Sequence, residues 1–83
     1  MGIYTNGKIY GIRWGDESVE YEKISGTELT SLQLQQIKND YNNLPLERKN
    51  RVIVSQYTKC STTYNVNDPE TMLWFPLEKS WFE

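Results

Sequence analysis

The 83-residue chain contains no histidine and a single cysteine, Cys60. Histidine is the commonest general base and a leading transition-metal ligand, so its absence removes most routes to acid–base catalysis and to a transition-metal centre. One cysteine cannot close an internal disulfide, which makes a reducing cytoplasm the expected compartment. No apolar run approaches the ~18 residues of a membrane-spanning helix. Residues 1–4, Met-Gly-Ile-Tyr, have neither the basic nor the apolar region of an export signal. A Met-Gly start also opens a myristoylation motif, but that motif requires Ser or Thr at position 6, where Asn6 stands. Alanine is absent, while Asn, Lys, Ile and Tyr supply twenty-five residues. That is the bias of an AT-rich coding sequence, such as that of a phage, a mobile element or a low-GC bacterium.

Against these absences stand eleven aromatic residues. Rings are the side chains most enriched at binding interfaces, so the composition favours contact over catalysis. A hydrophobic content of 37%, a charged content of 24% and a net charge of −2 describe an ordinary globular protein, neither disordered nor strongly charged. A chain of this length forms one domain, residues 1–83, that buries roughly 60–65% of the surface its unfolded form exposes.

The stretch from Ile3 to Ile24 reads as an antiparallel meander, with a hairpin turn at Asn6-Gly7 and a second turn at Gly15-Asp16. In its middle strand Tyr10, Ile12 and Trp14 alternate with Ile9, Gly11 and Arg13, and the first set should face the core. Val19 and Tyr21 then alternate with Glu20 and Glu22, which places two carboxylates on one outer side.

A helix follows. Thr30 is its N-cap with Gln33 as capping-box partner, and Leu29 and Leu34 occupy the two positions of a hydrophobic staple. A start at Ser25 or Thr27 using Glu28 is the alternative. Leu34, Ile37, Tyr41 and Leu44 form one apolar stripe, and Asn43 with Pro45 ends it. The continuous run Val52-Ile53-Val54 suggests a central strand covered on both faces. Residues 58–66 read as extended with a bend near Ser61-Thr62, Asn67 to Glu70 as a turn, and Thr71 to Phe75 as a last strand stopped by Pro76. The sum is an α+β domain: an antiparallel sheet of about five strands in the order β-β-β-α-β-β, with one helix packed across one face. The expected inward set is Tyr10, Ile12, Trp14, Val19, Tyr21, Leu34, Ile37, Tyr41, Val52, Val54 and Trp74.

No catalytic residue, metal ligand set or cofactor motif emerges. Cys60 lacks a histidine or another activating neighbour, since Lys59 would point the opposite way on a strand, so an incidental thiol is the simpler reading. Gly7, Gly11 and Gly15 match neither glycine fingerprint of a nucleotide site. Asp16, Glu17, Glu20 and Glu22 put four carboxylates into seven positions. A solvated face is the plain reading of such a cluster, and steering towards a basic protein partner is the functional one. Trp81 and Phe82 follow the strand-stopping Pro76, and either fill the core or anchor a partner, a second copy of the chain included.

The expected function is therefore protein binding without catalysis, through Asp16, Glu17, Glu20, Glu22, Trp81 and Phe82, with a homodimer as one outcome and no membrane. Size, acidity and aromatic content are shared with small inhibitors of immunity and anti-defence type, a likeness of class that no motif carries. The alternative is a nucleic-acid or nucleotide binder using Arg48, Lys49 and Arg51 with the stacking faces of Tyr57, Tyr64 and Trp74. The small basic footprint of an acidic chain makes that the lesser reading.

Overall fold

The computed structural model describes residues 4, 5, 7–16, 18–61 and 71–83. It is an α+β domain with one main helix on an antiparallel sheet. The strands are β1 (Tyr4–Thr5), β2 (Gly11–Gly15), β3 (Val19–Ile24), β4 (Ile53–Ser61) and β5 (Thr71–Pro76). Helices α1 (Ser31–Asn42) and α2 (Leu46–Arg51) lie between β3 and β4, and a 3-10 turn spans Lys79–Phe82. The second helix, the terminal turn and the two-residue length of β1 are departures from the expected order.

The nine residues of β4 organise the sheet. One edge pairs with β2 over Ile53–Tyr57 and then with β1 at Cys60 and Ser61, and the other pairs with β5 from Ser55 to Cys60. Among the described residues β1 and β2 therefore pair with β4 and not with each other, unlike the expected hairpin. Gly7 does take a left-handed φ of 76°, but it redirects the chain along the edge of β4. Thr58, buried on β4, donates its hydroxyl to the Lys8 carbonyl where the edge passes from β2 to β1. Asn6 and the Asn67–Glu70 turn lie outside the described residues.

The start of α1 is as its sequence dictates. The Gln33 amide donates to Thr30 Oγ1 at 3.2 Å, and the Thr30 amide donates to Gln33 Oε1 at 2.8 Å. Ile37 and Tyr41 are buried, Leu34 and Leu44 partly so. Pro45 ends the first helix and begins the second: its carbonyl accepts from the amides of Arg48 and Lys49.

A core without alanine is built from rings. Trp14 stacks on Tyr21 with centroids 3.8 Å apart, and meets the edges of Tyr41 at 5.6 Å and Phe82 at 6.0 Å. Such pairs add ~0.5–1.5 kcal/mol each to the stabilisation from area burial. Ile12, Leu29, Val52 and Val54 complete the buried set.

Three residues of the expected inward set, Val19, Tyr10 and Trp74, are not in that core, and neither is Ile53. Ile53, in the run read as doubly covered, is 71% exposed, because α1 covers one face only and Val52 and Val54 take that face. Val19 is 53% exposed. A bulge opposite Trp14 and Gly15 makes Glu20 the extra residue and sets Val19 against Gly15, which reverses the side on which Val19 projects. Tyr10 precedes the first residue of β2 and stays half-buried under Lys59, whose Nζ lies 5.7 Å from the ring, while Ile9 packs on the core in its place. Trp74 lies across from Tyr57 and rests on the opposite side of the sheet from α1.

Candidate contact surface

Strand alternation divides the sheet into a face covered by α1 and a face on which no element packs among the described residues. Ile12, Trp14 and Val54 belong to the covered face, so their neighbours Arg13, Ile53 and Ser55 belong to the uncovered one. Register extends that face to Tyr57 and Lys59 on β4 and to Met72 and Trp74 on β5.

At its centre Arg13 reaches from β2 across β4 and lays its guanidinium over the Trp74 ring, with Cζ 4.1 Å from the centroid. The reach is possible because Ser55, opposite Arg13 in register, is small. Tyr57 closes on the same indole at 4.9 Å and a tilt of 40°. All three side chains are half-buried. Glu22 stands opposite Arg13 in register and is exposed, yet the ion pair among the described residues joins Arg48 to Glu20 instead. Beside Arg13 a hollow of about 240 Å³ is lined by Asp16, Val19, Ile53 and Ser55.

Of the carboxylates expected to form one patch, Glu20 and Glu22 are separated. The bulge takes Glu20 out of alternation and delivers it to Arg48 on α2, whereas Glu22 remains opposite Arg13. Asp16 is exposed on the rim of the hollow, and Glu17 lies outside the described residues.

The C-terminal rings turn inward. Phe82 is buried, flat against Tyr41 at 3.9 Å, and its carbonyl accepts from Asn42 Nδ2 at 3.2 Å. Trp81 is half-buried with Lys38 Nζ 4.7 Å above its ring.

The basic cluster is divided too. Arg48 is held by Glu20, Lys49 Nζ lies 5.7 Å from the core ring of Tyr41, and Arg51 is exposed. Tyr57 and Trp74 do come together, but their companions are Arg13 and Lys59 rather than the α2 cations; Tyr64 lies outside the described residues. Sequence alternation placed Arg13 on an outer side, but its meeting with Trp74 depends on β5 joining the far edge of β4, which no local signal carries.

Cys60 is buried, and its Sγ lies 3.9 Å from Thr71 Oγ1 with Lys59 on the other face. No cluster of three metal-capable side chains occurs among the described residues. No helix among them is long and apolar enough to cross a membrane. Two tyrosines are perturbed. Burial, a hydrogen bond to Asp40 Oδ2 at 2.9 Å and the charge of that carboxylate hold the Tyr21 hydroxyl well above its ordinary pKa, and burial raises that of Tyr41. Both contribute to packing and lie on the covered side of the sheet.

The uncovered face thus offers a pinned guanidinium, two tilted rings and aliphatic flanks. Compared with protein-family models, with curated proteins and with solved structures, the chain matches none of them.

Proposed function

We propose that this chain is a non-enzymatic protein-binding module whose working surface is the sheet face turned away from α1. The observation that carries the reading is the cluster of Arg13, Trp74 and Tyr57 at the centre of that face, flanked by the exposed Ile53 and Val19. Aromatic and Arg side chains ringed by apolar contacts are the composition of interface hot spots. A small inhibitor of immunity or anti-defence type, working in the cytoplasm, would act by such contact. Phe82 is engaged within the chain, so the anchors are assigned to the sheet face instead.

The reading is tested by retention from nuclease-treated lysate of the native host. A double substitution, Tyr57→Ser with Ile53→Lys, should abolish capture of a protein that wild type retains. Leu32→Lys, on the helix side where Leu32 is 82% exposed, should leave capture intact. The opposite pattern would move the surface to the helices.

Single-stranded nucleic acid is the second reading, favoured by the same half-buried ring pair because bases stack on aromatic side chains. Wild-type protein that retained only nucleic acid, in lysate left untreated, would select it.

A further inference from the structure

The sheet has one guarded edge and one open one. Edge strand β3 carries Glu20, Glu22 and Lys23, and its ladder is interrupted by the bulge near Gly15. Charges and bulges both keep an edge from pairing with another chain. At the far side of the sheet β5 reads Thr-Met-Leu-Trp-Phe-Pro from Thr71 to Pro76, without a charge, and no strand among the described residues pairs with its outer side.

The register fixes which groups that edge offers. The Leu77 amide donates to the Val54 carbonyl at 3.0 Å, so Leu77 turns its backbone towards β4. In an antiparallel ladder each residue turns its N–H and C=O to the same side, and successive residues alternate. The unbroken register between β4 and β5 therefore directs the backbone of Thr71, Leu73 and Phe75 at β4, and that of Met72, Trp74 and Pro76 away from it. Pro76 fits this placement, since a proline is tolerated where its missing N–H would face the open side of an edge strand. The edge thus presents a donor and an acceptor at Met72 and again at Trp74, and its donors stop at Pro76. Leu73, between them, is 45% exposed on the side of the sheet that holds Thr58.

We propose that β5 pairs antiparallel with β5 of a second copy of this chain, about a twofold axis at Leu73. In this register Met72 meets Trp74 of the second copy and Trp74 meets its Met72, each pair exchanging both backbone hydrogen bonds. Every outward donor and acceptor of the two residues is used. Leu73 faces Leu73 of the second copy in the non-hydrogen-bonded position, where side chains approach most closely, and its exposed surface is covered. A residue on a twofold axis meets itself, so it has to tolerate its own charge and shape. Leucine does, whereas an axis at Glu22 or Lys23 of β3 would set like charges opposite each other. A second copy is the occupant that β5 matches: the same pair of donor–acceptor residues, no charge, and a Pro76 that limits the pairing at either end. The axis stands perpendicular to the sheet, so the two uncovered faces, each with its Arg13–Trp74 pair, join into one surface.

Contact confined to one short edge falls among the weak interfaces, below ~1,200 Å² in total, so the test extends to millimolar protein. Sedimentation equilibrium of the full chain should show a reversible monomer–dimer equilibrium. Amide hydrogen exchange followed by NMR should slow at Met72 and Trp74 as concentration rises, while Leu73 and Phe75, bonded to β4, stay protected at every concentration. Leu73→Lys should weaken dimerisation roughly tenfold or more, because two ammonium groups would meet at the axis, and should leave the Tm of the dilute monomer near that of wild type.

A chain that remains monomeric at millimolar concentration would overturn the proposal. So would Met72 and Trp74 amides protected equally at all dilutions, which would place a cover on this edge within the chain itself. A dimer in which those two amides still exchange freely, or one that Ile53→Lys breaks and Leu73→Lys does not, would move the junction to the uncovered face and overturn the edge assignment.

Discussion

Phe82 lies flat against Tyr41, their centroids 3.9 Å apart and their planes 16° from parallel, and so closes the aromatic core from the C-terminal side. Phe82→Ala should cost ~3–5 kcal/mol, the range for removing a buried ring. Truncation after Ser80 should lower the urea midpoint by an amount independent of protein concentration. A loss that varied with concentration would mean that the segment also joins two copies.

Ile37 is fully buried under the sheet. Ile37→Ala should cost ~2–5 kcal/mol. That is a large share of the ~5–15 kcal/mol available to a typical domain, so the thermal midpoint should fall by many degrees.

Gly15 is fixed by the bulge. A Cβ there would stand 2.5 Å from the Ser18 carbonyl oxygen and 3.0 Å from the Val19 Cα, both backbone atoms that cannot rotate away. Gly15→Ala should therefore destabilise by ~1–3 kcal/mol. Gly7→Ala meets no atom within 4 Å, and its cost, ~1–2 kcal/mol, should come from the left-handed φ alone.

The Glu20–Arg48 pair joins the bulge to α2 with both side chains over one-third exposed. Glu20→Gln should change stability by less than ~1 kcal/mol, and the difference from wild type should shrink in high salt. A larger effect that persisted in salt would give the pair a packing role.

Tyr21 makes stability depend on alkaline pH. Its hydroxyl titrates at 10.0 in the unfolded chain and higher in the folded one, so the folded state retains a proton that the unfolded state releases. The associated stability is complete below pH 10 and is lost as pH climbs towards the folded value. Tyr21→Phe should flatten the alkaline limb of a stability–pH profile relative to wild type.

What was legible in the sequence was local. Thr30, Gln33, Leu29 and Leu34 all lie within six residues, and they specified the start of α1 correctly because capping and stapling are short-range contacts. Alternation also placed Ile12 and Trp14 on the covered face. It failed at Val19, where one extra residue reverses the count, and at Ile53, where an apolar residue occupies the uncovered side. Tyr57 and Trp74 were legible as stacking residues, but the choice of Arg13 over the cations of α2 was not. That choice is made by pairing between β4 and β5, and by the small Ser55 that lets an arginine pass over it.

The position of β4 has a kinetic consequence. The hairpin of β2 and β3 can zip locally, but β2 reaches its second partner only across some forty residues of chain, with Gly11 paired to Tyr57 and Trp14 to Val54. Thr58 reaches back fifty positions to Lys8. Loops of that size must close before their contacts stabilise anything, so folding should wait on the arrival of β4 and run slower than in helical domains of equal length. Until then β2 presents an unpaired edge and Trp14 lacks the Tyr41 and Phe82 rings that pack against it, and the early hairpin is the form of this chain most exposed to self-association.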